Sequence, residues 1–137
     1  MQTVAKLAAR YSRPEGLAVK PTIDRNLVID RRGVAFLVYR SAEWGLETIT
    51  LRKGTGEAAL LLADDDGIVL RISALADNPD RPVRLSPREA EQASALQRAV
   101  EARGGTFVVT DSPTGFVLAL HLPRSGGDDD GVYGTGV

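Results

Sequence analysis

Cysteine is absent from this chain of 137 residues, which excludes disulfide frameworks, cysteine zinc sites and thiol catalysis. Histidine occurs once, so neither a multi-histidine metal site nor a relay of several phosphohistidines can be built. A basic excess is missing as well. The 17 Lys and Arg residues face 18 Asp and Glu, for a formal net charge of -1. The usual electrostatic footprint of a nucleic-acid binder is therefore lacking. No apolar run reaches the length of a membrane span, and charged residues between Met1 and Arg13 interrupt the apolar core that a signal peptide needs. The expected protein is cytoplasmic, binds no nucleic acid and does not insert into a membrane. What is present, 43% hydrophobic and 26% charged residues, is the composition of one ordinary globular domain.

The C-terminal stretch 125–137, SGGDDDGVYGTGV, offers little to bury and carries Asp128, Asp129 and Asp130. Such a composition cannot offset its ordering entropy, so a disordered acidic tail is expected, serving as a solubilising end.

The rest of the chain reads as alternating helices and strands. Val4, Leu7, Ala8 and Tyr11 recur at helical spacing and predict a short first helix, ended by Pro14 and Gly16. Residues Leu17 to Ile23 look extended, and Pro21 confines that strand to a sheet edge. A long helix is expected from Arg31 to Leu51, with Asp30 as N-cap. Val34, Leu37, Val38, Gly45 and Ile49 share roughly one of its faces, with Ala42 beside it. Glu57 to Ala63 and Ile68 to Ser73 are apolar runs joined by Asp64-Asp65-Asp66-Gly67, a strong hairpin signal. The three aspartates read as turn chemistry rather than as a metal site, for which no further ligands are evident.

An irregular loop with two prolines follows, to Leu85. Ser86-Pro87-Arg88-Glu89 then announces a helix: serine as N-cap, proline at the first helical position, glutamate closing a capping box. Ala90, Ala93, Leu96 and Val100 form its apolar stripe, and Gly104 and Gly105 stop it. A second hairpin is expected from Thr106 to Thr110 and Gly115 to Leu122. Helices interleaved with hairpins predict an α+β two-layer sandwich, a mostly antiparallel sheet covered by helices.

Several of these segments resemble a known family. Ala35 to Glu47, AFLVYRSAEWGLE, is similar to the opening of the ATP-binding domain of sensor histidine kinases. EAALLLADDDGIVLRIS is similar to that family's strand, acidic hairpin and strand. Leu96 to Pro123 resembles its last helix, Gly-Gly-Thr step and closing hairpin. The likeness spans residues 4–123 and points to the GHKL ATPase superfamily, which includes gyrase, histidine kinases and MutL. It implies a Bergerat-like fold for residues 1–124, with 125–137 as the tail.

The departures from that pattern bear on activity. The likeness places Glu43 on the family's glutamate and Glu47 on the asparagine that helps hold magnesium and the phosphates. The aspartate that takes the adenine amino group falls on Ala74, with Asp77 three residues further on, and the glycines of that box are absent. The second glycine box is replaced by Arg84-Leu85-Ser86-Pro87-Arg88-Glu89. A phosphate cradle needs glycine backbone at a helix N-terminus; Pro87 removes an N–H donor there and Glu89 adds negative charge. His121, in the last strand, is not placed as a phosphoacceptor and reads as a sheet-face residue. Trp44 reads as core or interface. Glu43 and Glu47, four apart on one helix face, read as a solvated pair rather than an acid/base pair.

The expected function is thus a non-catalytic regulatory or protein-binding module of bacterial signal transduction, with a histidine-kinase-like fold and no cofactor. The resemblance suggests a histidine kinase, a response regulator, a small GTPase or a second copy as partner. The alternative is a divergent ATP-binding subunit supplying ATP to a separate phosphotransfer chain. Glu43, Glu47, Asp77 and Arg84 would then contact the nucleotide, and Glu47 the magnesium.

Overall fold

The computed structural model describes residues 2–12, 17–29, 31–53, 56–75, 85–112 and 115–123. The expected N-cap Asp30, the candidate site residues Asp77 and Arg84, and the 125–137 tail lie outside them.

Among the described residues, three helices cover one face of a five-stranded sheet. The elements are α1 (Gln2–Tyr11), β1 (Leu17–Ile23), α2 (Arg32–Lys53), β2 (Gly56–Asp64), β3 (Gly67–Leu75), α3 (Pro87–Glu101), β4 (Thr106–Ser112) and β5 (Gly115–Pro123). The strand order is β1-β2-β3-β5-β4. Only β1 and β2 run parallel, joined across the helical layer by α2, whereas β2–β3, β3–β5 and β5–β4 are antiparallel. Both expected hairpins form, in one sheet. β1 lies at the edge, where Pro21 costs no ladder hydrogen bond.

Strand alternation builds the core. Leu60 and Leu62 on β2, Leu70 and Ile72 on β3, and Phe116, Leu118, Leu120 and Leu122 on β5 are buried beneath the helices. Each such side chain contributes about 1.5–3 kcal/mol by leaving water. Ile68, at the start of β3, is only half-buried. The face predicted for α2 is buried throughout: Val34, Leu37, Val38, Ala42, Gly45 and Ile49. Gly45 lets that helix settle on the sheet, because a Cβ there would stand 3.0 Å from Ile72 Cδ1 and 3.2 Å from Leu118 Cδ1. Leu46 and Trp44 are buried too, since α2 is flanked by α1 on one side and α3 on the other.

The β2–β3 turn follows its sequence signal. Asp66 takes a left-handed conformation (φ 54°) and Gly67 has φ 123°, which a glycine tolerates without a Cβ clash. The Gly67 amide donates to Asp64 Oδ1 at 3.4 Å.

At α3 the capping box is complete. Ser86 Oγ accepts from the Glu89 amide at 3.1 Å, and Glu89 Oε1 accepts from the Ser86 amide at 2.9 Å. The apolar stripe is narrower than predicted. Val100 is buried and Ala93 and Leu96 pack partly against the core, but Ala90 is exposed. The helix packs on β4 and α2, with Val100 near its end as the buried residue.

Candidate functional site

The candidate residues on α2 divide between two environments. Glu43 is half-buried against α1. Arg40 Nη1 donates to Glu43 Oε1 at 2.7 Å, and Arg10 Nη2 of α1 stands 3.9 Å from Glu43 Oε2. The same Arg10 nitrogen donates to the Tyr39 hydroxyl at 3.3 Å, and its guanidinium lies 5.7 Å from the Tyr11 ring centroid. Glu43 therefore closes a polar seam between α1 and α2. Glu47, one turn further, is exposed and has no ion pair among the described residues.

Burial pushes the Tyr11 phenol above its ordinary range. The Glu47 carboxylate adds to the shift, Arg10 works against it, and Glu43 and Tyr39 raise it further. The seam thus joins Glu43 to Arg10 of α1, a partner that sequence spacing could not reveal.

Trp44 points the other way. Its ring packs at tilted angles on Phe107 and Phe116, with centroids 6.5 and 6.1 Å apart. Its Nε1 donates to Gln92 Oε1 of α3 at 3.2 Å. The tryptophan is a core residue that ties α2 to α3 and the sheet.

At the end of β3, Ala74 is half-buried opposite Phe116. Its methyl group has no hydrogen-bonding capacity. Leu75 follows, 78% exposed. Beyond the segment that contains Asp77 and Arg84, α3 begins with Pro87, which lacks an amide hydrogen, and with the Glu89 amide already held by Ser86. Arg88 is exposed.

His121 lies on the outer sheet face, as its place in the alternation of β5 predicts. Its Nε2 donates to the carbonyl of Asp66 at 3.0 Å and so braces the β2–β3 turn from the neighbouring strand. Sequence offered no sign of this, because the two residues are 55 positions apart. The Ser41 hydroxyl is fully buried on α2 and meets no hydrogen-bond partner among the described residues. Among the described residues no group of three His, Asp or Glu side chains is placed to hold a metal ion, and no helix is long and apolar enough to cross a membrane.

No family model and no curated protein matches the sequence. Solved structures do match. The histidine kinase domain of the E. coli osmosensor EnvZ superposes with a TM-score of 0.58 at 11% identity, covering 98% of this chain and 91% of that one. The catalytic domain of histidine kinase ThkA gives a TM-score of 0.62 at 8% identity, covering 90% of both chains. The blue-light activated histidine kinase of Erythrobacter litoralis gives 0.54 at 17% identity, covering 90% of this chain. This chain spans only 40% of that kinase and 62% of the Acinetobacter baumannii histidine kinase AdeS. A five-stranded mixed sheet under three helices, in this order, is the fold that the chain shares with the histidine kinase domains of EnvZ and ThkA.

Proposed function

We propose that this chain is a protein-binding regulatory module of bacterial, cytoplasmic signal transduction whose ATPase-like fold has lost nucleotide binding. The observation that carries the reading is the N-terminus of α3. There Pro87 supplies no donor and Ser86 holds the Glu89 amide. The Glu89 carboxylate closes the box and places negative charge where a phosphate would need amides. Ala74, with no acceptor for an adenine amino group, and Glu43, engaged with Arg40 and Arg10, support the same reading. Each missing hydrogen-bonding partner costs about 1–3 kcal/mol, so losing two or three places affinity in the millimolar range or beyond. A histidine kinase, a response regulator, a small GTPase or a second copy of the chain is the kind of partner it would engage.

Calorimetric titration with Mg-ATP and Mg-ADP tests this. No saturable binding below about 1 mM is expected. A low-micromolar dissociation constant would overturn it.

One observation favours a second reading. The Glu47 carboxylate is exposed and has no ion pair among the described residues, so it is free to meet a cation. In a divergent ATP-binding subunit, Glu47 would hold magnesium and Asp77 and Arg84 would meet the nucleotide. Glu47→Ala would then abolish a melting shift induced by Mg-ATP.

A further inference from the structure

Among the described residues, the helices cover one side of the sheet and nothing covers the other. That side carries small and apolar residues in register, Ala59, Leu61 and Ala63 on β2, Val69 on β3, Val117 and Ala119 on β5, with Ser73, Thr110 and His121 among them. Two larger apolar side chains stand out from it, Leu75 at 78% and Val108 at 55% exposure. Contiguous apolar area of this kind on a folded domain marks a contact surface.

Charge on this face is sparse and placed unevenly. Arg71 occupies its centre, between Leu61 on β2 and Ala119 on β5. It is exposed and has no ion pair among the described residues. Towards one corner sits Glu57, exposed, whose Oε1 pairs with Lys20 Nζ at 2.6 Å. Between Arg71 and Glu57 lie Ala59 and Ser73, paired in register. These small side chains border a depression of about 440 Å³ whose walls also include Lys20, Glu57, Leu75 and Val117.

We infer that this bare sheet face docks a second copy of the chain, with Arg71 of each copy on Glu57 of the other. The geometry is self-complementary. Arg71 and Glu57 are one strand and two same-face residues apart, roughly 14 Å from strand spacing and rise. A two-fold axis in the plane of the interface, passing between Ala59 and Ser73, exchanges the two positions and closes after one partner. The same operation sets Leu75 over the Val117 and Ala119 region of the other copy. Five strands of about eight residues present on the order of 600 Å². The two-fold between Ala59 and Ser73 overlaps only part of that area, less than the about 600 Å² per partner of a stable specific interface, and implies a weak, reversible dimer. This inference goes beyond the loss of nucleotide binding and does not depend on it.

Sedimentation equilibrium without nucleotide, from about 1 to 200 µM at low salt, tests the dimer. Wild type is expected to pass from monomer to dimer within that range. Arg71→Glu and Glu57→Arg should each weaken association at least about tenfold, and the charge-swapped double variant should restore it. Both positions are exposed, and circular dichroism melts confirm that each variant folds. A wild-type chain that stays monomeric throughout leaves the face to a different protein and overturns the inference. So does an Arg71→Glu chain that dimerises as tightly as wild type, or a double variant no better than the single ones.

Discussion

Gly105 is pressed against the backbone carbonyl of His121, so that any Cβ at this position would run into that oxygen. It would also stand 2.9 Å from Val100 Cγ1 and 3.0 Å from Leu122 Cδ2. The step after α3 thus does more than end a helix: it lets the chain pass flush against β5. A carbonyl fixed in the β5 ladder cannot swing aside as a methyl can. Gly105→Ala should therefore destabilise the domain by about 3 kcal/mol, the upper end for overpacking, read as a lowered urea midpoint with an unchanged slope.

Ser86→Ala removes the oxygen that holds the Glu89 amide. A loss of about 1 kcal/mol is expected. The same denaturation series reads it, and an unchanged midpoint would show that the cap contributes nothing to the fold.

Glu43 and Glu47 should behave differently despite sharing a helix face. Glu43→Gln weakens the seam to Arg40 and Arg10 and should cost about 0.5–1 kcal/mol, the range of partly exposed pairs. Glu47→Gln should fall within about 0.5 kcal/mol of wild type, because the side chain is exposed. Thermal melts of the two variants side by side make the comparison.

Tyr11 sets an alkaline limit. Its folded-state pKa is raised above 10.0, first by burial and then by the nearby Glu47 carboxylate. The native state therefore favours the neutral phenol. That contribution is complete below the unfolded value and is lost as pH rises from there through the folded value. Tyr11→Phe, which cannot ionise, should lose less stability than wild type between about pH 9 and pH 11. Parallel urea titrations across that range would detect it, and identical pH dependence in the two proteins would contradict it.

Local chemistry was legible in the sequence wherever a few neighbouring residues decide the outcome. The capping box at Ser86 and Glu89, the Asp-Gly turn ending at Gly67, the edge placement of a strand containing Pro21 and the buried face of α2 all follow from spacing within a few positions. The same local patterns, joined in order, carried the likeness to histidine-kinase ATPase domains that the fold displays. Tertiary structure decided what depends on residues far apart. The parallel pairing of β1 with β2 and the insertion of β5 between β3 and β4 arise from how the strands compete for neighbours across the sheet. No run of residues encodes that choice. Glu43 gained Arg10 once α1 lay against α2, His121 gained the Asp66 carbonyl once β5 paired with β3, and Gly105 met the β5 backbone once β4 paired with β5. Spacing along the chain determines which side chains share a face, whereas docking of the faces determines what each one meets.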